Sequence, residues 1–219
     1  QDIPANLIGL QFAEDEAAFV VGALAGLMTQ SDTVAVIGGI EIPPVVRLAN
    51  GFKNGAQYVN PAANVLITYT GDFGKFMEFE SICYDKANEQ LLLICKECGK
   101  HQDSINSYRF SLSEKKFMPG VYFSISWSDI RKKGKDNSIE CKPSAAAINP
   151  VTGKLYIVAS IGKVLLQCTP GGVLEAVYGL NPDYFPQPEG MTFSPSGDLY
   201  ISNEGGKGKA SLLKFMFRP

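Results

Sequence analysis

Two glutamates at matching positions of a repeated pattern are the first candidates for chemistry. Glu80 and Glu189 each begin a short apolar strand that is followed by a turn and a second strand. In radially repeated sheets, equivalent positions of successive sheets surround one axis, so the two carboxylates are predicted to converge. Converging carboxylates raise each other's pKa or recruit a hard cation such as Ca²⁺, for which Glu204 or Asn203 would complete the oxygen ligands.

The middle copy of the repeat weakens the calcium prediction, because Ser144 stands where the other two copies have glutamate. A second interpretation needs no metal, since each glutamate could accept hydrogen bonds from backbone amides of the neighbouring sheet. The sequence leaves both interpretations open.

Sulfur and imidazole side chains form a second candidate site. Cys95, Cys98 and His101 are separated by two residues each. This spacing suits Zn²⁺ if Cys83 or another thiol supplies a fourth ligand. It also allows a Cys95–Cys98 disulfide in an oxidising compartment. The chain has five cysteines, so at least one thiol stays unpaired unless the chain pairs with another.

Other patterns give weaker indications. The single histidine lies in a polar stretch, Gly99–Asn106, that is typical of a surface loop, so no Ser/His/Asp or Cys/His triad is predicted. The basic run Arg131–Lys135 could bind anions or be a solvated loop. Gly38-Gly39 follows a predicted strand but lacks the spacing of a phosphate-binding loop, which favours a tight turn.

Charge and hydropathy argue against a nucleic-acid partner and against a membrane span in the N-terminal third. The chain has 20 Lys and Arg against 22 Asp and Glu, a formal charge of −2, which disfavours nucleic acid. The longest apolar stretch of the N-terminal third, Ala17–Met28, is too short to span a bilayer. Because the chain begins at Gln1 without a leader, we expect a processed product whose targeting segment has been removed.

The composition changes near Phe73. Residues 1–73 contain two basic and seven acidic side chains and no cysteine or histidine, whereas the rest contains all five cysteines and the only histidine and tryptophan. This change predicts two modules, residues 1–73 and 74–219.

The first module alternates strand and helix signals, which predicts a βαβαβ unit with a parallel sheet. The predicted elements are strand Leu7–Phe12, helix Asp15–Gln30, strand Thr33–Ile37, a helix from Pro43 to Tyr58 and strand Val65–Tyr69. In the first helix, Gly22 and Gly26 leave room for close packing on the sheet. Its buried apolar face is predicted to contain Phe19, Ala23, Leu24, Leu27 and Met28.

Most of residues 1–73 resembles the basic membrane lipoprotein family. The matching stretches include Ile8–Phe12, Glu16–Gly22, Leu24–Leu27, Val36–Ile40, Asn50–Phe52 and Tyr58–Pro61. The resemblance implies a periplasmic, lipid-anchored substrate-binding protein of an importer, typically for purine nucleosides. Proteins of that family have two α/β lobes, of which this module would be part of one.

The second module contains three similar hairpins, which predict about three blades of a β-propeller. The hairpins start at Glu80, Ser144 and Glu189. A polar, lysine-rich insertion is predicted at Ser128–Cys141, and a half-buried strand around Trp127. Further strands are predicted at Ser107–Leu112, Val164–Cys168 and Val173–Tyr178.

Residues 76–219 resemble the SdiA-regulated family of bacterial propeller proteins. The matching stretches are Phe185–Phe193 and Gly197–Gly205, with weaker matches at Phe79–Asp85 and Lys142–Ser144. The resemblance implies a periplasmic or lipoprotein propeller without a well-defined activity and with room for a metal ion in its central channel.

The fold class expected from these patterns is mixed, with an N-terminal α/β segment followed by all-β blades. The leading functional hypothesis is a composite, non-catalytic periplasmic or outer-surface protein that binds a small molecule or another protein. Two alternatives stay open, a metal-dependent propeller hydrolase or lactonase and a purine nucleoside-binding component of an importer. Because three blades leave open faces, we expect the chain to pair with a second copy as a homodimer, to cover the open faces with its α/β segment, or to be poorly soluble. A precursor could carry a lipid anchor.

Overall fold

The computed structural model of the chain describes residues 13–69, 77–98, 103–205 and 208–218. The chain divides into two compact units, residues 1–75 and 76–219. The predicted strand Leu7–Phe12 and the candidate ligand His101 lie outside the described residues. None of the helices in the described ranges is long and apolar enough to cross a membrane.

The first unit alternates helices with parallel strands. Its elements are α1 (Glu14–Met28), β1 (Thr33–Gly38), α2 (Pro43–Val59) and β2 (Asn64–Tyr69). β1 and β2 pair in parallel, with Thr33 opposite Asn64 and Gly38 opposite Tyr69. The two predicted helices and the parallel pairing of the second and third predicted strands are therefore confirmed.

Local sequence signals set the starts of the two helices. The first turn of α1 contains Glu14, Asp15 and Glu16, whose negative charges stabilise the positive end of the helix dipole. α2 begins with Pro43 and Pro44, because the first turn of a helix does not need their missing N–H groups.

α1 and α2 pack through small residues. A Cβ atom on Gly22 would lie 2.6 Å from the carbonyl carbon of Phe52, and one on Gly55 would lie 2.7 Å from the carbonyl carbon of Phe19. The two helix backbones therefore touch directly, which only glycine permits. The buried residues of the pair are Ala18, Gly22, Gly26, Ala49, Gly51, Gly55 and Ala56.

The prediction that the large apolar side chains of α1 are buried is wrong. Leu24 is 57% exposed, and Leu27 and Met28 are each 70% exposed. The buried face is instead the one with small residues, because only there can a second helix approach the α1 backbone. Gly22 and Gly26 accordingly contact α2 and not the sheet.

The second unit contains three antiparallel sheets among its described residues. The first has β3 (Met77–Asp85), β4 (Gln90–Cys98), β5 (Ser104–Ser111), β6 (Lys116–Phe117) and β7 (Phe123–Ser126). The second has β8 (Lys142–Ile148), β9 (Leu155–Ile161), β10 (Val164–Cys168) and β11 (Leu174–Gly179). The third has β12 (Pro188–Phe193), β13 (Leu199–Asn203) and β14 (Ser211–Phe215).

Each sheet is built from strands that follow one another in the chain, and the three predicted hairpins are β3–β4, β8–β9 and β12–β13. The first strands lie side by side, because β8 packs against both β3 and β12. Alternating apolar residues of the first two sheets form the main core, which includes Leu92, Ile94, Ile105, Leu155, Ile157 and Leu166.

The predicted polar insertion contains a helix, α3 (Trp127–Gly134). Ser126 caps it by accepting a hydrogen bond from the Asp129 N–H at 3.1 Å, and Ile130 anchors it in the core. The strand predicted around Trp127 is therefore wrong at that residue, although Phe123 does lie in a strand. The missed signal is Ser126 three residues before Asp129, the spacing of a helix N-terminus.

Asp198 fastens the C-terminal segment to the third sheet. Its carboxylate accepts a hydrogen bond from the Phe217 N–H at 2.9 Å and pairs with Lys214 Nζ at 2.9 Å. The Phe217 N–H and then Lys214 hold the pKa of Asp198 below its ordinary value of 3.8.

We expect Gly22→Ala to destabilise the first unit by about 2 kcal/mol or more, because the added methyl group would overlap the Phe52 carbonyl. Loss of the helical circular dichroism signal in urea measures the change. Gly39→Ala is the control, since a Cβ there meets nothing within 4 Å. If Gly22→Ala instead stabilised the protein by about 1 kcal/mol, the gain in helix propensity would exceed the cost of overlap with Phe52, and the described packing would be wrong.

Asp198→Asn should lower the unfolding temperature at neutral pH, with a difference that disappears in acid. A carboxyl group whose folded pKa is lowered stabilises the fold above its unfolded value, and this contribution is lost as the pH falls through the folded pKa. Thermal unfolding from neutral pH to below 3.8 measures it. Asp183→Asn, in an exposed loop, serves as the control. An equal difference at all pH values would contradict the assignment.

Candidate functional site

Glu80, Ser144 and Glu189 occupy the same structural position in the three sheets. Each is the extra residue of a β-bulge, because its two chain neighbours pair with consecutive residues of the adjacent strand while it pairs with none. A bulge redirects the side chain of its extra residue out of the regular alternation of the strand. The register therefore confirms the equivalence of these positions in the repeat.

Lys96, a residue that the sequence reasoning missed, lies beside the candidate carboxylate Glu80. Its Nζ is 2.7 Å from Glu80 Oε1 and 3.6 Å from Glu78 Oε1. The hydrogen bond with Glu80 raises the pKa of Lys96 most; partial burial lowers it, and the charges of Glu80, Glu78 and Glu189 raise it further. Glu80 of the first sheet and Glu189 of the third thus act on one ammonium group. We call these four residues the ammonium cluster.

The other candidates make separate contacts. Ser144 Oγ donates a hydrogen bond to the Pro188 carbonyl oxygen at 2.6 Å, which joins β8 to β12. Glu204 Oε2 accepts one from Gln187 Nε2 at 2.7 Å. In the parts of the chain that the structure describes, no three Asp, Glu, His or Cys side chains form a group that could hold a metal ion. The calcium site on Glu80, Glu189 and Glu204 stays a prediction.

Two neutral oxygens on strands β3 and β13 have spare hydrogen-bonding capacity. Among the described residues, Ser81 Oγ and Asn203 Oδ1 are buried without a partner. Asn203 is only 3% exposed, and its amide nitrogen donates to Ser211 Oγ at 3.2 Å. These oxygens are suitable ligands for a hard cation, but Lys96 already pairs with Glu80, one of the carboxylates that would supply most of the affinity.

The cysteines are accounted for by a disulfide and by burial. Cys95 and Cys98 form a disulfide, which confirms the alternative to zinc and removes two of the predicted zinc ligands. Burial raises the pKa of each remaining thiol to about 12, so these thiols stay protonated at neutral pH and are poor nucleophiles. They are Cys83, Cys141 and Cys168.

A groove of about 340 Å³ lies between the first turns of α1 and the middle of α2. We call it the helix groove. Arg47, one of its residues, is paired with Glu14 at 3.1 Å, so its charge is already neutralised. The groove thus offers side-chain amides, carboxylates and an aromatic ring to a ligand. Its other lining side chains are Asp15, Glu16, Phe19, Asn50 and Asn54.

A family model described as "ABC transporter substrate-binding protein PnrA-like", named Bmp, matches residues 1–107. The match covers α1, β1, α2 and β2 and extends beyond residue 75 into the first sheet of the second unit. It supports the resemblance of the first module to basic membrane lipoproteins.

Curated relatives match part of the chain. A "CD4+ T-cell-stimulating antigen" of Listeria monocytogenes is 33% identical over 70 residues, which is 32% of this chain and 20% of that protein. "Basic membrane protein A" of Borreliella afzelii is 34% identical over 99 residues, 45% of this chain and 30% of that protein. The chain thus spans less than a third of the length of these relatives.

Solved structures give weaker similarities. A catalytically inactive virginiamycin B lyase from Staphylococcus aureus aligns with a TM-score of 0.39 and 15% identity, covering 67% of this chain and 44% of the lyase. A nidogen/laminin complex aligns with a TM-score of 0.39 and 10% identity, covering 61% of this chain and 47% of that chain.

We expect Lys96→Met to create or strengthen calcium binding. Removal of the ammonium group leaves the negative charges of Glu78, Glu80 and Glu189 uncompensated, so a hard cation gains affinity. Millimolar calcium should raise the unfolding temperature of this variant by about 3 °C more than that of the wild type.

Lys154→Met is the control for this experiment, because it breaks an ion pair with Glu175 in the second sheet and leaves the ammonium cluster intact. A larger calcium shift in the wild type than in Lys96→Met would contradict the expectation. That result would mean that the carboxylates bind calcium with Lys96 in place.

Proposed function

We propose that the chain is a non-catalytic binding protein for a small molecule. In this proposal a segment of the substrate-binding type precedes a unit of propeller-like blades. The observation that supports it most is the Bmp match over residues 1–107, which includes the whole parallel unit α1–β1–α2–β2. The three buried thiols, with pKa values raised to about 12, add no nucleophile at neutral pH.

The proposed ligand is neutral and rich in hydrogen-bonding groups, as a purine nucleoside is. In the helix groove, the amides of Asn50 and Asn54 can both donate and accept hydrogen bonds. Phe19 supplies an apolar ring against which a base can pack. The ligand binds in this groove, and its hydroxyl groups are held by acceptors on the first turn of α1.

Charge disfavours an anionic ligand in the helix groove. Asp15 and Glu16 are both exposed at its edge, and Arg47 is neutralised by Glu14. A phosphate would therefore be repelled by uncompensated carboxylates, whereas ribose hydroxyl groups would donate to them. The groove thus favours a nucleoside over a nucleotide.

The second unit is proposed to be a set of three blades. Each sheet is a meander whose first strand lies beside the first strand of the next sheet, as β8 lies between β3 and β12. Contact with a second copy stays a prediction, and so does a lipid anchor on a periplasmic or outer-surface precursor.

Calorimetric titration of the purified chain with guanosine, adenosine and inosine tests the proposed function. We expect saturable binding that is weakened about tenfold or more by Asn50→Ala combined with Asn54→Ala, because two hydrogen-bonding partners are lost. The matched control is Gln30→Ala combined with Asn137→Ala, which removes two exposed amides that line neither groove described in this structure.

Two results would contradict this function. The first is the absence of saturable nucleoside binding by a chain that shows cooperative unfolding. The second is equal weakening by the groove variant and its control, which would place the ligand elsewhere. Preference for guanosine monophosphate over guanosine would contradict the charge argument.

A further inference from the structure

A second groove, of about 770 Å³, lies on the second unit between α3 and the turn that joins β10 to β11. We call it the lysine groove. Its volume falls within the range of small-molecule sites. The lining residues used below are Lys132, Lys133, Lys135, Ile125, Gly171 and Val173.

The three lysines have no partner among the residues that the structure describes and, unlike other unpaired lysines such as Lys86, Lys115 and Lys209, they line one groove. Lys96, Lys116, Lys142, Lys154 and Lys214 each form an ion pair with a carboxylate. Lys132, Lys133 and Lys135 form neither an ion pair nor a hydrogen bond through their side chains within the described residues, and all three are exposed. Three unpaired ammonium groups therefore line one groove of a chain whose formal charge is −2.

The nearby carboxylates are engaged elsewhere. Asp129 also lines the groove, but its Oδ2 accepts a hydrogen bond from Ser126 Oγ at 2.7 Å as part of the α3 cap. The charge of Lys133 contributes to lowering the pKa of Glu175, but the Glu175 carboxylate is bound by other residues. It pairs with Lys154 and accepts a hydrogen bond from Gln167 Nε2 at 3.2 Å. The groove thus keeps a net positive charge.

Stabilisation of the α3 dipole explains only part of this arrangement. Basic residues at a helix C-terminus are favourable, and Lys132 and Lys133 lie in the last turn of α3. Lys135 lies beyond the helix, in the left-handed conformation with φ of 56°, where an ordinary side chain is disfavoured. Its position extends the row of positive charge past the helix end.

The rest of the groove suits the organic part of a ligand. Ile125 is 3% exposed and forms an apolar base, and Val173 is 65% exposed at the edge. Gly172 has a φ of 84° and packs so closely on Phe123 that a Cβ would overlap the ring. At Gly171, by contrast, a Cβ would find only Thr169 Oγ, at 3.9 Å, so a ligand can approach the backbone there.

We propose that the lysine groove binds the phosphate group of a small phosphorylated molecule. A dianion allows several ammonium groups to make charge-assisted hydrogen bonds at once, and the apolar base accommodates the remainder of the molecule. This site goes beyond the function proposed above. It lies on the other unit and selects an anionic ligand, whereas the helix groove is proposed to select a neutral one, so either site can fail without the other.

Titration of the whole chain with inorganic phosphate and pyrophosphate tests this site. The groove variant combines Lys132→Gln, Lys133→Gln and Lys135→Gln. The control variant combines Lys86→Gln, Lys115→Gln and Lys209→Gln, which makes the same change in net charge at exposed positions away from the groove. Lys115 matches Lys135 in backbone conformation, with a φ of 54°.

We expect saturable pyrophosphate binding that the groove variant weakens at least about tenfold and the control less than about twofold. Raised salt should weaken it further. Absence of saturable binding, or equal weakening by both variants, would overturn the site. Binding of the chain to phosphatidylglycerol vesicles without binding of free pyrophosphate would also overturn it, because the groove would then recognise a membrane surface.

Discussion

The direct backbone contact between α1 and α2 is the constraint on which the first unit depends. Glycines at the contact, above all Gly22 and Gly55, let the two helix backbones meet with no side chain between them. The close approach brings the first turns of α1 beside the middle of α2, and this neighbourhood creates the helix groove from Phe19, Asn50 and Asn54. The proposed binding function rests on a contact that one added methyl group would remove.

In the second unit, β-bulges of the backbone set the positions of the carboxylates, one of which Lys96 pairs with. Bulges place Glu80 and Glu189 at matching positions of separate sheets, and Lys96 pairs with Glu80 while the charge of Glu189 adds to the rise of its pKa. The chain therefore provides its own cation beside Glu78 and Glu80. Lys132, Lys133 and Lys135 differ from Lys96 because no carboxylate of the described residues pairs with them and all three line one groove. The ammonium cluster is therefore structural, whereas the lysine groove is a candidate ligand site.

The sequence predicted the elements better than the contacts between them. The start of α1 was predicted from its acidic first turn and the start of α2 from Pro43. The hairpins were predicted from the repeat. These predictions succeeded because the signals are local in the sequence. The buried face of α1 was mispredicted because a hydrophobic pattern is dominated by large apolar residues such as Leu24 and Leu27. The packing is decided instead by backbone contact, which occurs on the face with the glycines. Lys96 was missed because its partners come from other strands, and α3 because its polar sequence hid the Ser126 cap.

Amide hydrogen exchange of the whole chain, with and without saturating guanosine, tests binding at the helix groove most directly. Bound ligand should slow exchange in the first turns of α1 and in the middle of α2, where Asn50 and Asn54 lie, because opening of this segment would then require dissociation. The second unit should exchange at unchanged rates. Unchanged exchange in both helices, or slowing confined to the second unit, would contradict the assignment of a neutral ligand to this groove.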